Sequence, residues 1–77
     1  MTEQEMQDLR IKQGEINLKM GRVAEYINEA TVAGRDDLIR ALGAKRLKLN
    51  DEHKMIGIRI VKEYKMKIIE AFLEEPI

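Results

Sequence analysis

Apolar residues recur at alternating spacings of three and four through the first third of this chain, and this ladder limits the possible folds more than any other feature. Its rungs are Met6, Leu9, Gln13, Ile16, Met20, Val23, Ile27 and Ala30, and only Gln13 is polar. Such a ladder places one narrow apolar stripe along a helix, and that stripe has to face another helix. The chain is therefore expected to be all-α and held together by helix–helix contacts.

The beginning of the first helix is also marked in the sequence. Thr2 followed by Glu5 is a capping-box pattern, in which each side chain satisfies a backbone donor of the first turn. The ladder continues without a break from this point. We therefore predict a helix over residues 3–32.

A glycine predicts where this helix ends. Gly34 lies just after the last rung, and glycine readily adopts the left-handed conformation that terminates many helices. A turn is thus expected at residues 33–35, with Asp36 or Asp37 capping a second helix over residues 36–74. Because so short a turn between long helices forces them to run antiparallel, the expected fold is a helical hairpin in a single domain, residues 1–77.

The middle of the second half allows three interpretations. A continuous helix would extend the ladder, with two polar rungs, through Ile39, Leu42, Arg46, Leu49, His53, Ile56 and Ile60. A second interpretation breaks the helix at Asn50, which would cap a third helix. A third pairs residues 45–49 with residues 55–60 as a β-hairpin, because apolar residues alternate in both segments.

Apolar residues cover two sides of the last predicted helical segment. One face carries Ile60, Val61, Tyr64, Ile68 and Phe72, and the other carries Met55, Ile58, Met66, Ile69 and Leu73. A helix that is apolar on two sides needs more neighbours than its hairpin partner, so the chain is predicted to form a homo-oligomeric helical bundle. The predicted oligomer seam comprises Met6, Leu9, Gln13, Ile16, Met20, Val23, Ile27, Ile60, Ile68 and Phe72.

Oligomerisation also agrees with the size and composition of the chain. A chain of 77 residues buries only about 60–65 % of the surface that it exposes when unfolded, so a single copy is marginally stable. Small domains compensate with disulfides, metals or partner subunits. With no Cys and one His, the sequence offers neither of the first two.

The charges cancel over the whole chain but are unevenly distributed. Residues 1–33 carry six acids and four bases, whereas residues 38–69 carry nine bases and three acids. Lys45, Arg46 and Lys48 form the densest basic patch, which is a candidate contact for an anion or a protein partner. A nucleic-acid or nucleotide binder that uses this basic half is therefore the alternative function.

Catalysis and cofactor binding are not expected. The chain has no Ser and no Cys, and its single His53 has no nucleophile nearby in the sequence. His53 also lacks the further ligands that a metal site needs, and no glycine-rich phosphate loop is present. We therefore predict no enzyme activity, no cofactor and no metal.

Pairs of glycines occur at heptad-related spacings inside the predicted helices. Gly14 and Gly21 are seven residues apart, and Gly43 and Gly57 are fourteen apart. Glycine inside a helix costs about 1 kcal/mol relative to alanine, so such rows need an explanation. They indicate either a close helix–helix seam, a ligand lying against the backbone, or a chance arrangement on an exposed face.

The expected function is protein–protein interaction without catalysis. The chain would be a small homo-oligomeric coiled-coil module, a regulatory adaptor or an inhibitor that sequesters a protein partner, by analogy with the accessory proteins of phages and mobile elements. Its polar, acidic start predicts no secretory signal, and no segment approaches the ~20 apolar residues that span a bilayer. We therefore expect a cytoplasmic protein that does not contact membranes.

Overall fold

The computed structural model describes residues 1–76, which form two α-helices in contact and no strand. Helix α1 spans Glu3–Val32 and helix α2 spans Asp36–Glu74. They pack side by side as a hairpin about 67 Å long and 17 by 14 Å across. The predicted all-α hairpin and both of its helix ranges are confirmed.

Helix α2 runs without interruption through the segment that had three interpretations. Asn50 is inside the helix, so the predicted break there is wrong, and so is the β-hairpin of residues 45–49 and 55–60. As a helix, this segment turns Leu49 and Ile56 toward α1 and buries both. A two-stranded hairpin with nothing to cover it is marginal in water, so burial against α1 favours the helix.

Thr2 caps the start of α1, as the capping-box pattern predicts. Thr2 has an extended backbone, and its hydroxyl oxygen accepts a hydrogen bond from the Glu5 backbone N–H at 3.1 Å. The same hydroxyl lies 3.2 Å from the Glu5 carboxylate and donates to it. The acidic side chains of Glu3 and Glu5 lie in the first turn, where the helix dipole favours negative charge.

Gly34 ends α1 in the left-handed conformation, as predicted, with a φ of 69°. The Arg35 N–H donates to the Ala30 carbonyl at 3.0 Å, and the Gly34 N–H donates to the Thr31 carbonyl at 3.1 Å. These two bonds form a Schellman motif, which satisfies carbonyls that the end of the helix would otherwise leave unpaired. The chain therefore reverses within three residues.

The expected aspartate cap of α2 is wrong. The residue before α2 is Arg35, which makes no side-chain capping bond, and Asp36 and Asp37 already lie in the first helical turn. The reason is that the Schellman turn finishes at Arg35 and leaves no residue between the turn and the helix. Arg35 instead donates to the Asp37 carboxylate from Nε at 3.0 Å and from Nη2 at 2.8 Å, which lowers the pKa of Asp37.

The core is a single row of side chains between the helices. Its centre is made by four buried residues, with partly buried apolar neighbours on both helices: Ile16, Val23, Leu49 and Ile56, then Leu9, Met20, Ile27, Leu42 and Ile60. Met6 and Ala30 extend the buried row on α1. Two helices meeting along one stripe enclose little volume, so the hairpin by itself has a thin core.

Helix α2 is nine residues longer than α1, and the excess projects from the open end of the hairpin. The amino group of Met1 lies 3.1 Å from the Glu63 carboxylate, and Glu3 and Lys67 line one groove. Residues 68–74, which we call the C-terminal projection, therefore extend roughly 10 Å beyond the start of α1, at 1.5 Å per residue. All of them are exposed.

Two isoleucines of α1 provide a matched test of this core. Ile16→Ala is expected to lower the free energy of unfolding by about 2–5 kcal/mol, because Ile16 is 3 % exposed and its loss leaves a cavity. Ile11→Ala, at a side chain 54 % exposed, should change it by about 0.5 kcal/mol or less. Urea unfolding followed by circular dichroism measures both, and equal effects would contradict this packing.

Candidate interaction surfaces

Most of the large apolar side chains that the hairpin leaves exposed are on the last part of α2. Nine of the sixteen such side chains within residues 1–76 lie between Met55 and Leu73. We call these nine the C-terminal apolar surface: Met55, Ile58, Val61, Tyr64, Met66, Ile68, Ile69, Phe72 and Leu73. Their exposed fractions run from 45 % to 76 %, so the hairpin itself does not cover them.

The position of α1 explains this exposure. Helix α1 lies along the row of α2 that contains Leu49, Ile56 and Ile60. Ile58 and Val61 lie on the other side of α2, and the C-terminal projection has no α1 residue beside it. The surface therefore continues from the back of the hairpin onto the projection. Exposed apolar patches of this kind mark interaction sites on proteins.

The predicted oligomer seam divides into two parts. Its α1 residues and Ile60 are buried or partly buried, and they lie in the row where α1 meets α2 of the same chain. Ile68 and Phe72 are 62 % and 69 % exposed and belong to the C-terminal apolar surface. A ladder that faces a partner helix does not reveal whether that partner is in the same chain, so the sequence could not separate the two parts.

Gln13, the polar rung of the first ladder, lies over a glycine of the opposite helix. Its side chain is partly buried, and its Nε2 would be 3.7 Å from a Cβ added at Gly57. A Cβ at that distance would make an ordinary van der Waals contact, so the amide does not depend on the glycine. Gln13 therefore lies within the seam between the two helices of one chain.

The other interior glycines do not form a close seam between the two helices. A Cβ added at Gly14, Gly21 or Gly43 would have no neighbour within 4 Å. Gly14 and Gly21 are exposed on the outer side of α1. The predicted tight seam is therefore wrong for these three positions within the hairpin.

The predicted basic patch is not brought together on one surface. Lys45 lines a groove with Lys19 and Arg22 of α1, whereas Arg46 lines a different groove that contains Met20. Adjacent residues of a helix point about 100° apart, which explains the separation. Lys45, Arg46 and Lys48 are all exposed, so each of them is solvated on α2.

A second basic group, which the sequence did not single out, surrounds part of the C-terminal apolar surface. Lys54, Lys62 and Lys65 border a shallow groove of about 620 Å³ whose floor contains Ile58 and Val61. The spacings of eight and three residues bring these lysines to one side of a helix, so the sequence did contain the signal. Three ammonium groups around an apolar floor can hold an anionic group.

A separate apolar groove lies at the turn end of the hairpin, far from the projection. It has a volume of about 460 Å³ and is lined by Tyr26, Glu29, Ala30, Ala33, Arg35, Leu38 and Leu42. Tyr26 and Leu38 are 49 % and 42 % exposed. We call this the turn-end groove, and it gives the hairpin a second apolar surface that the C-terminal projection does not reach.

His53 is partly buried at a ladder position of α2, between Leu49 and Ile56, which both belong to the core. Within residues 1–76, no three His, Cys, Asp or Glu side chains are grouped closely enough to hold a metal ion. Neither helix contains a stretch that is long and apolar enough to cross a lipid bilayer.

Comparisons of this chain with protein-family models, with curated proteins and with solved structures found no match in any of the three. The exposed surfaces of the hairpin are therefore the features that indicate its function.

The glycines allow a test with opposite expected signs. Gly14→Ala and Gly21→Ala should each raise the free energy of unfolding by about 0.5–1 kcal/mol, because alanine favours the helix and its Cβ enters open space. Gly34→Ala should lower it by about 1–2 kcal/mol, because Gly34 has a φ of 69°. Chemical denaturation at one protein concentration measures all three. A destabilised Gly21→Ala variant would show that this glycine row packs against something outside the hairpin.

Proposed function

We propose that this protein is a small homo-oligomeric helical interaction module, which acts in the cytoplasm as an adaptor or as an inhibitor that sequesters a protein partner. The observation that supports this most directly is the C-terminal apolar surface, with nine large side chains exposed on one stretch of α2. Leaving so much apolar area in water is unfavourable by about 25 cal/mol for each Å². Covering it by association removes that cost.

The thin core supports the same proposal. Only six side chains within residues 1–76 are buried, and none of them is completely buried. A hairpin of this size gains a second layer of packing when its exposed helix face meets another helix. Self-association would therefore contribute to folding as well as to function.

The turn-end groove provides a separate surface for a protein partner. It lies near the short turn, while the C-terminal apolar surface extends to the opposite end of a hairpin about 67 Å long. A module with separate surfaces at its two ends can bind itself through one and another protein through the other. This separation is the basis for proposing an adaptor or a sequestering inhibitor.

Two exposed aliphatic residues of α2, Ile68 and Leu47, provide a matched test of self-association. Ile68→Lys places a charge in the C-terminal apolar surface, and Leu47→Lys places one three heptads earlier, outside that surface. The two side chains are similarly exposed, at 62 % and 68 %. Light scattering should give the unaltered chain and Leu47→Lys a mass that is a multiple of 9.0 kDa, and Ile68→Lys a mass nearer 9.0 kDa.

This test has clear contrary results. If the unaltered chain has a mass of 9.0 kDa at micromolar concentration and unfolds cooperatively, the proposed self-association is wrong. If Leu47→Lys dissociates the assembly as strongly as Ile68→Lys does, association uses another surface of α2. Circular dichroism verifies that each variant keeps its helix content.

The lysine-bordered groove supports a second candidate function, binding of nucleic acid or nucleotides. Lys54, Lys62 and Lys65 would contact phosphates, and counterion release would make the binding fall steeply with salt. No Trp is present to stack on bases, and the only aromatic residues are two Tyr and one Phe. Electrostatic contact with the backbone would therefore dominate.

A titration with a labelled single-stranded oligonucleotide tests this alternative. Three lysine–phosphate contacts predict a slope of about −2 for log K against log salt concentration. Changing Lys54, Lys62 and Lys65 to Glu should abolish the binding, whereas the same change at Lys45, Arg46 and Lys48 should weaken it less. Absence of binding in low salt contradicts the alternative.

A further inference from the structure

We propose that the C-terminal apolar surface pairs with the same surface of a second copy, and that the two α2 helices run antiparallel with Phe72 of each copy against Val61 of the other. This inference rests on the self-association proposed above and specifies its partner face, direction and register. Three observations support it: the apolar rows of α2, the distribution of charge along α2, and the position of α1.

One row of α2 is best suited to such pairing. Ile58, Val61, Lys65, Ile68 and Phe72 are spaced three and four residues apart, and all five are exposed. The row of Met55, Arg59, Lys62, Met66, Ile69 and Leu73 contains two charged rungs instead of one. The row of Gly57, Val61, Tyr64, Ile68 and Ala71 contains none, but it borders α1, because Gly57 lies beside Gln13. The row from Ile58 to Phe72 is therefore the most apolar seam on the side of α2 that faces away from α1.

The geometry of the hairpin leaves this row accessible along its whole length. At 100° per residue, the row lies on the side of α2 roughly opposite the row that packs on α1. A second helix can therefore lie on it without meeting α1 of either copy. The groove that already runs over Ile58 and Val61 follows the same row.

The side of the C-terminal projection that continues the α1-facing row is unsuitable for an apolar partner. On the projection this row carries Glu70 and Glu74, and just before the projection it carries Glu63 and Lys67, all of them ionisable. A partner helix placed there, as a continuation of α1, would bury charges against apolar groups at a high cost. This places the contact on the opposite side, where the exposed apolar residues are.

The charge pattern of α2 identifies the occupant as a second copy and sets its direction. Residues 59–67 carry four bases and one acid, a net charge of +3, and residues 70–75 carry three acids and no base, a net charge of −3. Antiparallel pairing places each basic segment opposite the acidic segment of the other copy. Parallel pairing would place like charges together, which is unfavourable.

The same charges argue against an anionic lipid surface as the occupant. Basic residues on residues 59–67 would be attracted to such a surface, but the acidic residues 70–75 at the end of the same helix would be repelled. A second copy provides positive and negative segments in the required order, whereas a uniform anionic surface provides negative charge alone.

The spacing of the apolar rungs then selects the register. Placing Phe72 opposite Val61 of the second copy also places Ile68 opposite Lys65 of that copy. Beside the seam, the large side chain of Tyr64 then lies near the small Ala71 of the second copy. The stem of Lys65 can pack on Ile68 while its ammonium group reaches solvent. Sliding the pairing one heptad toward the turn would align the basic segments 59–67 with each other.

Because the chain contains no Cys, engineered cysteines provide an unambiguous test of this pairing. Val61→Cys and Phe72→Cys are prepared separately, and each is oxidised alone or after the two are unfolded and refolded together. In the proposed register, position 61 of one copy faces position 72 of the other, whereas like positions are roughly 16 Å apart, too far for a disulfide. A disulfide-linked dimer should therefore form only in the mixture.

The control mixture joins Val61→Cys with Leu47→Cys, which should not crosslink because position 47 lies outside the paired segment. Crosslinking of each single variant with itself would indicate a parallel dimer and overturn the inference. An assembly of the expected mass with no crosslink in any sample would also overturn it, while leaving the proposed self-association intact. A chain that is monomeric by light scattering but sediments with anionic phospholipid vesicles would overturn both.

Neutralising acidic residues tests the direction independently. Glu74→Gln with Glu75→Gln should raise the dissociation constant of an antiparallel dimer by about two- to fivefold for each ion pair lost. In a parallel dimer the same change removes repulsion and should lower that constant. Asp51→Asn with Glu52→Gln, outside the paired segment, is the control and should leave it unchanged. Sedimentation equilibrium in low salt measures all three proteins.

Discussion

Contact between one stripe of α1 and one stripe of α2 is the interaction on which the rest of this structure depends. Ile16 and Val23 from the first helix meet Leu49 and Ile56 from the second, and these four side chains form the centre of the core. Five partly buried apolar residues, Leu9, Met20, Ile27, Leu42 and Ile60, extend this contact along both helices. The Schellman turn at Gly34 makes the contact antiparallel, because it reverses the chain within three residues.

A core made by only two stripes has a direct consequence for the remaining surface. Each helix presents one side to the other and leaves more than half of its circumference in water. On α1 that outer surface is mostly polar and contains Gly14 and Gly21, whereas on α2 it carries nine large exposed apolar side chains between Met55 and Leu73. We propose that assembly uses α2 because the exposed apolar area is concentrated on that helix.

The unequal helix lengths shape the surfaces that are available for function. Because α2 is the longer helix, the C-terminal projection extends beyond α1 and has no neighbour within the chain. The apolar surface on it is separated from the turn-end groove by most of the length of the hairpin. A molecule arranged in this way can associate with itself without covering the groove at its other end.

The sequence pattern was sufficient to place the two helices, because a 3–4 ladder and a helix-ending glycine are both set by residues that are close together in the chain. Thr2, Gly34 and the rungs from Met6 to Ala30 could be placed in this way. Local signals were less reliable at α2: the aspartate cap failed because the turn used Arg35 as its last residue, and alternating apolar residues allowed a false β-hairpin.

Only the tertiary structure decided which apolar residues face inward and which remain exposed. Ile60 and Ile68 carry the same chemistry on the same helix, but Ile60 packs against the core, while Ile68 lies on the C-terminal projection and is 62 % exposed. The sequence by itself determined two amphipathic helices and a tight turn, since these follow from local spacing. The side of α2 that α1 covers depends on how the two helices pack along their lengths, which is a property of the folded chain.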